Sequence, residues 1–184
     1  MIVRSDGWIE GVCRVDSPNF DARPPDTAIE LIVVHNISLP PGCYGGGHIP
    51  RLFTNTLEAS GDPYFVKLAG LHVSAHVLIE RDGALTQFVS FRDRAWHAGA
   101  SQFNNRQACN DFSIGIELEG TDFEAFADVQ YATLNTLVAA LLAEYPIEAM
   151  RGHSDIAPDR KTDPGPFFDW GRLGLPSIVS LPTA

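Results

Sequence analysis

Glu30-Leu31-Ile32-Val33-Val34-His35 is an aliphatic, largely β-branched run that ends abruptly on a polar ring. A short apolar run without alternation reads as a strand buried on both faces. It predicts a central strand that delivers His35 at its end, where site residues commonly stand. Working outward, residues 112–119 alternate: Phe112, Ile114, Ile116 and Leu118 point one way, and Ser113, Gly115, Glu117 and Glu119 the other. That predicts a second strand, whose small residues beside Glu117 leave its face open. Residues 73–79 and 84–89 are apolar runs separated by Glu80-Arg81-Asp82-Gly83, and Asp-Gly between such runs signals a hairpin.

Over residues 128–145 the period changes. Tyr131, Leu134, Leu137, Val138, Leu141, Leu142 and Tyr145 recur at three- and four-residue spacing, the stripe of a helix lying on a sheet. A shorter helical piece is expected over residues 52–57 and a last one over residues 167–173. Between them lie a short segment at residues 149–152 and a Pro/Asp-rich loop at residues 154–166. The pattern predicts an α/β fold, a central mixed β-sheet flanked by helices, as a single domain over residues 1–184. Residues 39–70 carry Pro40-Pro41-Gly42, Gly45-Gly46-Gly47 and Gly61-Asp62-Pro63, and are expected to form a mobile cover rooted near His35.

Composition narrows the class of function. A chain of 184 residues, 45% hydrophobic, fills one core. The net charge of −10, from 23 acidic against 13 basic residues without a Lys/Arg cluster, argues against nucleic acid as a partner. No apolar window reaches the roughly 18 residues of a membrane span. Arg4, Asp6, Glu10 and Arg14 interrupt any export-signal core, so a cytoplasmic, monomeric protein is expected, with Cys13, Cys43 and Cys109 as reduced thiols.

A catalytic zinc is held by three protein ligands, with a fourth position left for water. His35, His153 and Asp163 all stand where chain elements finish. Each alone has an ordinary reading, because a lone histidine is usually structural and an Asp before Pro usually forms a turn. The surrounding motifs carry more. Val34-His35-Asn36-Ile37-Ser38-Leu39-Pro40-Pro41-Gly42, Val73-Ser74-Ala75-His76, Arg94-Ala95-Trp96-His97-Ala98-Gly99, Asn110-Asp111-Phe112-Ser113-Ile114-Gly115-Ile116-Glu117-Leu118-Glu119-Gly120 and Gly152-His153-Ser154-Asp155-Ile156-Ala157-Pro158-Asp159-Arg160-Lys161-Thr162-Asp163-Pro164-Gly165 follow one another in this order. Together they closely resemble the motifs of the zinc-dependent N-acetylmuramoyl-L-alanine amidases, and in particular those acting on 1,6-anhydromuropeptides. That family includes phage lytic amidases and animal peptidoglycan-recognition proteins. The resemblance runs over residues 7–170.

The resemblance implies Zn2+ on His35, His153 and Asp163, with Glu117 and Lys161 as catalytic side chains. It implies a muropeptide substrate, cut between the muramic acid and L-alanine during cytoplasmic peptidoglycan recycling. Amide hydrolysis agrees with those residue types. A carboxylate such as Glu117 moves a proton from water to the leaving nitrogen, and a cation such as Lys161 meets the developing oxyanion. Many relatives place Cys where this chain has Asp163. Asn36, Trp96, His97 and Arg106 are expected to touch substrate, and His76 to be a buried structural residue. Cys109 reads as an inert small residue, and His48 and His72 as surface residues. The stem peptide's carboxylates call for an arginine, with Arg51, Arg92, Arg94 and Arg106 all open. A binding module without turnover is the rival reading, and the presence of both Glu117 and Lys161 argues against it.

Overall fold

The computed structural model describes residues 1–177 and 179–182. In chain order, strands β1 (Cys13–Arg14), β2 (Phe20–Ala22) and β3 (Leu31–Ile37) precede two short helices, α1 (His48–Phe53) and α2 (Pro63–Leu68). Strands β4 (Val77–Ile79), β5 (Leu85–Gln87), β6 (Asp93–Ala95), β7 (Gln102–Phe103), β8 (Arg106–Gln107) and β9 (Ser113–Glu119) follow. Helix α3 (Asp128–Glu144), strand β10 (Ala149–Gly152) and the single turn α4 (His153–Ile156) complete the set.

The main sheet runs β1-β5-β4-β9-β3-β10, and its strands pair in parallel except at β4 with β5. This is the mixed sheet expected. The apolar run is β3, with Leu31, Ile32, Val33 and Val34 fully buried. It lies beside β9 in a register that sets His35 directly opposite Glu117. The hairpin closes where Asp82-Gly83 predicts it, with Glu80 N–H donating to Ala84 O at 2.9 Å.

Alternation assigns the two faces. Ile32, Val34, Ile114, Ile116 and Leu118 pack with Tyr131, Leu134, Leu137, Val138 and Leu141 of α3 in the largest core cluster. Each such side chain contributes about 1.5–3 kcal/mol when fully buried. On the other face Leu31 and Val33 pack with Ala98, Phe112 and Ile156, and Leu78 packs with Ile49, Leu52, Phe53 and Phe65; Phe112, expected on the Ile114 side, precedes β9 and so escapes its alternation. His35 and Glu117 share the parity of Leu31 and Ser113, so both stand on this second face.

Four expectations are corrected. The helical piece expected over residues 52–57 lies earlier, at His48–Phe53, and Asn55 leaves the helical region with φ 60°. Gly61-Asp62-Pro63 starts a helix and does not break one: Asp62 caps Tyr64 N–H at 2.7 Å, with proline at the first helical position. Residues 39–70 therefore carry two helices, with Leu39, Ile49, Leu52, Phe53 and Phe65 buried in one apolar cluster. The helix expected over residues 167–173 is a single 3-10 turn at Trp170–Arg172. His48 is half-buried against the Phe65 ring, 4.9 Å between centroids, whereas His72 is exposed as expected. Cys13 and Cys43 are exposed and Cys109 is buried, all three as free thiols.

Candidate metal centre and active site

Strand β3 ends at the site and places His35. Strand β10, its parallel neighbour, hands over at Gly152 to α4, whose first residue is His153. A Cβ on Gly152 would come 2.7 Å from Pro164 Cδ, so only glycine lets the following loop return this closely. That return is fixed by Ser154 N–H donating to Asp163 O at 2.9 Å. As a result three donor atoms converge. His35 Nδ1 lies 3.0 Å from His153 Nδ1 and 3.0 Å from Asp163 Oδ2, and His153 Nδ1 lies 3.1 Å from the same oxygen.

The far nitrogens decide what these atoms are. His153 Nε2 is 3.0 Å from Ala98 O, a carbonyl that only accepts, so the proton is on Nε2 and Nδ1 presents a lone pair. His35 Nε2 is 2.9 Å from His97 Nδ1, and His97 Nε2 is 3.2 Å from Ser113 Oγ. With His97 donating to the serine, His35 donates to His97 and its own Nδ1 is bare. Two lone pairs and a carboxylate facing one another repel unless a cation sits among them. Two imidazoles and a carboxylate, each imidazole anchored through its other nitrogen, form a donor set suited to zinc.

Burial shapes the charges. It lowers the pKa of His35 to about 4, keeping the ring neutral. Glu117 goes the other way: burial, then the charge of Asp163, pushes it well above 4.5, with Lys161 opposing. Its Oε2 is buried without a hydrogen-bond partner among the described residues. Glu117, Lys161 and the three donors line one cleft of about 720 Å³.

The expected substrate contacts divide. Trp96 lines the cleft and donates from Nε1 to Asp21 at 3.1 Å. Asn36 lines it too, but its amide donates to Asp122 Oδ1 at 2.6 Å and Pro164 O at 3.0 Å, which ties down the Asp163 loop. His97 reaches the cleft wall with both nitrogens already engaged below His35. Its ring fills the space over Gly115, where a Cβ would come within 2.4 Å, so the strand face expected to be open is occupied. His76 is fully buried: Nδ1 accepts from Gly115 N–H at 3.0 Å and Nε2 faces Asp93 O, the structural role expected.

Arg106 is a correction. It sits on β8 over the Phe112 ring, 3.9 Å to the centroid, paired with Glu30 and lining a separate cleft of about 580 Å³. Arg94 is held by Asp21 and Asp111, and Arg92 by Ser5 O. Neither they nor Arg51 line the site cleft. Sequence reasoning missed Tyr64, Asp122 and Phe123, which do. Asp122 stands three residues beyond the end of β9, close to a strand end, the kind of position that marked His35.

A family model described as N-acetylmuramoyl-L-alanine amidase matches residues 25–166. The chain belongs to that family. The 1,6-anhydro-N-acetylmuramyl-L-alanine amidase AmpD of Escherichia coli (strain K12) is 58% identical over 179 residues, covering 96% of this chain and 97% of the relative. The crystal structure of a selenomethionine AmpD derivative superposes with a TM-score of 0.92 at 53% identity, covering 98% of this chain and all of that one. The amidase AmiD from E. coli, in complex with anhydro-N-acetylmuramic acid-L-Ala-D-gamma-Glu-L-Lys, gives a TM-score of 0.59 at 27% identity, covering 82% of this chain and 59% of that one. Enzyme class and mixed α/β fold therefore agree with the sequence reading. No helix of the described residues is long and apolar enough to cross a membrane.

Proposed function

We propose that this amidase is a zinc enzyme that cleaves the bond between 1,6-anhydro-N-acetylmuramic acid and the L-alanine of a stem peptide, in cytoplasmic peptidoglycan recycling. The observation that carries the reading is the convergence of His35 Nδ1, His153 Nδ1 and Asp163 Oδ2 at 3.0 to 3.1 Å in the cleft that also holds Glu117 and Lys161. Zinc, held by those three side chains, would supply Lewis-acid polarisation and lower the pKa of water to near 7.

The chain's own residues do the rest. Glu117, made a stronger base by its burial, takes a proton from the attacking water and returns it to the departing alanine nitrogen. Lys161, which lines the same cleft, meets the oxygen that gains charge as the carbonyl becomes tetrahedral. His97 and Ala98 O hold the two imidazoles in the tautomer that leaves Nδ1 bare. Asn36 and Asp122 hold the loop that presents Lys161 and Asp163.

Similarity to AmpD along nearly the full length of both chains supports the anhydro substrate, and an anhydro sugar is the end of a released fragment, which fits recycling. The net charge of −10 opposes self-association and supports a monomer, and a length of 184 residues supports one domain over residues 1–184. Incubation with anhydro-N-acetylmuramyl-tripeptide is expected to release free tripeptide, read by mass spectrometry, and faster than from whole sacculi. No tripeptide would contradict the reading, and equal rates on both would favour a broader, lysin-like amidase.

A further inference from the structure

Among the described residues, Phe123 and Leu71 are the exposed large apolar side chains that line the site cleft, and Phe123 is 86% exposed. The turn that carries Phe123 is held on both sides. Asp122 Oδ1 accepts from Asn36 Nδ2 at 2.6 Å and its Oδ2 from Thr162 Oγ1 at 2.5 Å. Phe123 N–H donates to Thr121 Oγ1 at 3.2 Å, and Glu124 accepts from the Tyr44 hydroxyl. The ring is thus kept out over the cleft, in water, on a turn tied to the Asp163 loop. Apolar area left exposed at the mouth of a site gains free energy when a ligand covers it.

We propose that Phe123 is a specificity-determining platform against which the apolar face of the substrate's sugar ring packs. This rests on the muropeptide reading of the same cleft. Charge selects the sugar over the peptide. Phe123 stands between Asp122 and Glu124, and Arg81, 3.8 Å from Glu124, offsets only part of that negative charge. The stem peptide carries carboxylates, which such a rim repels, whereas the sugar ring carries none. A cation for the stem stands beside the cleft and not on its lining: Lys67 is exposed on α2, its ammonium 5.8 Å from the centroid of the cleft-lining Tyr64 ring.

The test compares the wild type with Phe123→Ala and Phe123→Trp. Binding of free anhydro-N-acetylmuramic acid and of free tripeptide is measured by calorimetry, and kcat/KM on anhydromuramyl-tripeptide, -dipeptide and -L-alanine. In Phe123→Ala, sugar binding is expected to weaken by about tenfold, roughly what uncovering part of one ring costs. Tripeptide binding is expected to stay unchanged, and kcat/KM to fall by the same factor on all three substrates, mostly through KM. Phe123→Trp is expected to restore both. A loss that fades as the stem is shortened, or falls on tripeptide binding, would overturn the proposal in favour of a peptide contact, and unchanged sugar binding would overturn it outright. The sugar-binding arm needs no turnover. A wild type that cleaved none of the substrates would contradict the proposed function while leaving that arm decisive.

Discussion

Ile114, Ile116 and Leu118 of β9 lie among the aliphatic side chains of α3, whereas Ser113, Gly115 and Glu117, interleaved with them, meet His97 and the cleft. The two sets belong to one strand and answer to different demands. The first buries hydrocarbon and leaves nothing unpaired. The second holds a carboxylate oxygen without a partner among the described residues and a row of neutral histidines packed edge to face, His35 to His97 to His76, with centroids 5.0 and 5.7 Å apart. An unpaired buried polar group costs about 1–3 kcal/mol. The helix-covered face supplies the stability that lets the other keep groups which only a cation and a substrate satisfy.

The sharpest way to break this contrast is at Glu117. Glu117→Gln is expected to lower kcat by on the order of 10²–10⁴ with metal content intact, and Lys161→Met by on the order of 10²–10³. A large rise in KM at unchanged kcat for either would move that residue to simple binding. Stability should move the opposite way. The raised pKa of Glu117 means the folded state keeps a proton that the unfolded chain releases above about 4.5. This group's contribution to stability therefore falls as pH rises through that window. Glu117→Gln is expected to flatten that fall, measured by denaturant unfolding of metal-free protein from pH 5 to 8. A steeper fall in the variant would contradict the burial argument.

A smaller effect on turnover is expected one layer down. His97→Ala removes the acceptor for His35 Nε2, and should weaken zinc retention against a competing chelator by on the order of 10- to 100-fold. Wild-type retention in that variant would return His97 to a substrate contact. On the other face the effect should vanish from kcat and appear in stability. Leu137→Ala is expected to cost about 2–5 kcal/mol in denaturant unfolding, with kcat unchanged below the transition. A lowered kcat at full folding would show that the faces are not separable.

The contrast also explains what is legible in the sequence. Strands β3 and β9 and helix α3 read directly, because burial on one or both faces writes a period into the chain. The donor set His35, His153 and Asp163 is legible through the motifs around it, since each residue alone has an ordinary structural reading. Helix α2 is not, because Gly61-Asp62-Pro63 is the composition both of a break and of a capped start. Nor is the position of Arg106: its charge suits a stem carboxylate, but a local hairpin carries it to the Phe112 ring and Glu30. His97 has the right chemistry for a substrate contact, and only the missing Cβ of Gly115, felt across strands, shows where its ring goes.

The central claim is that three bare donors at the end of β3 and the start of α4 hold a metal. It is tested most directly by the zinc content and turnover of the wild type and Asp163→Ala, before and after chelation. The account predicts about one zinc per wild-type chain, and turnover lost on chelation while the core stays folded, restored by zinc. It predicts little zinc and no turnover in Asp163→Ala. Full zinc and full turnover in Asp163→Ala, or an undiminished rate in exhaustively chelated wild type, would contradict it.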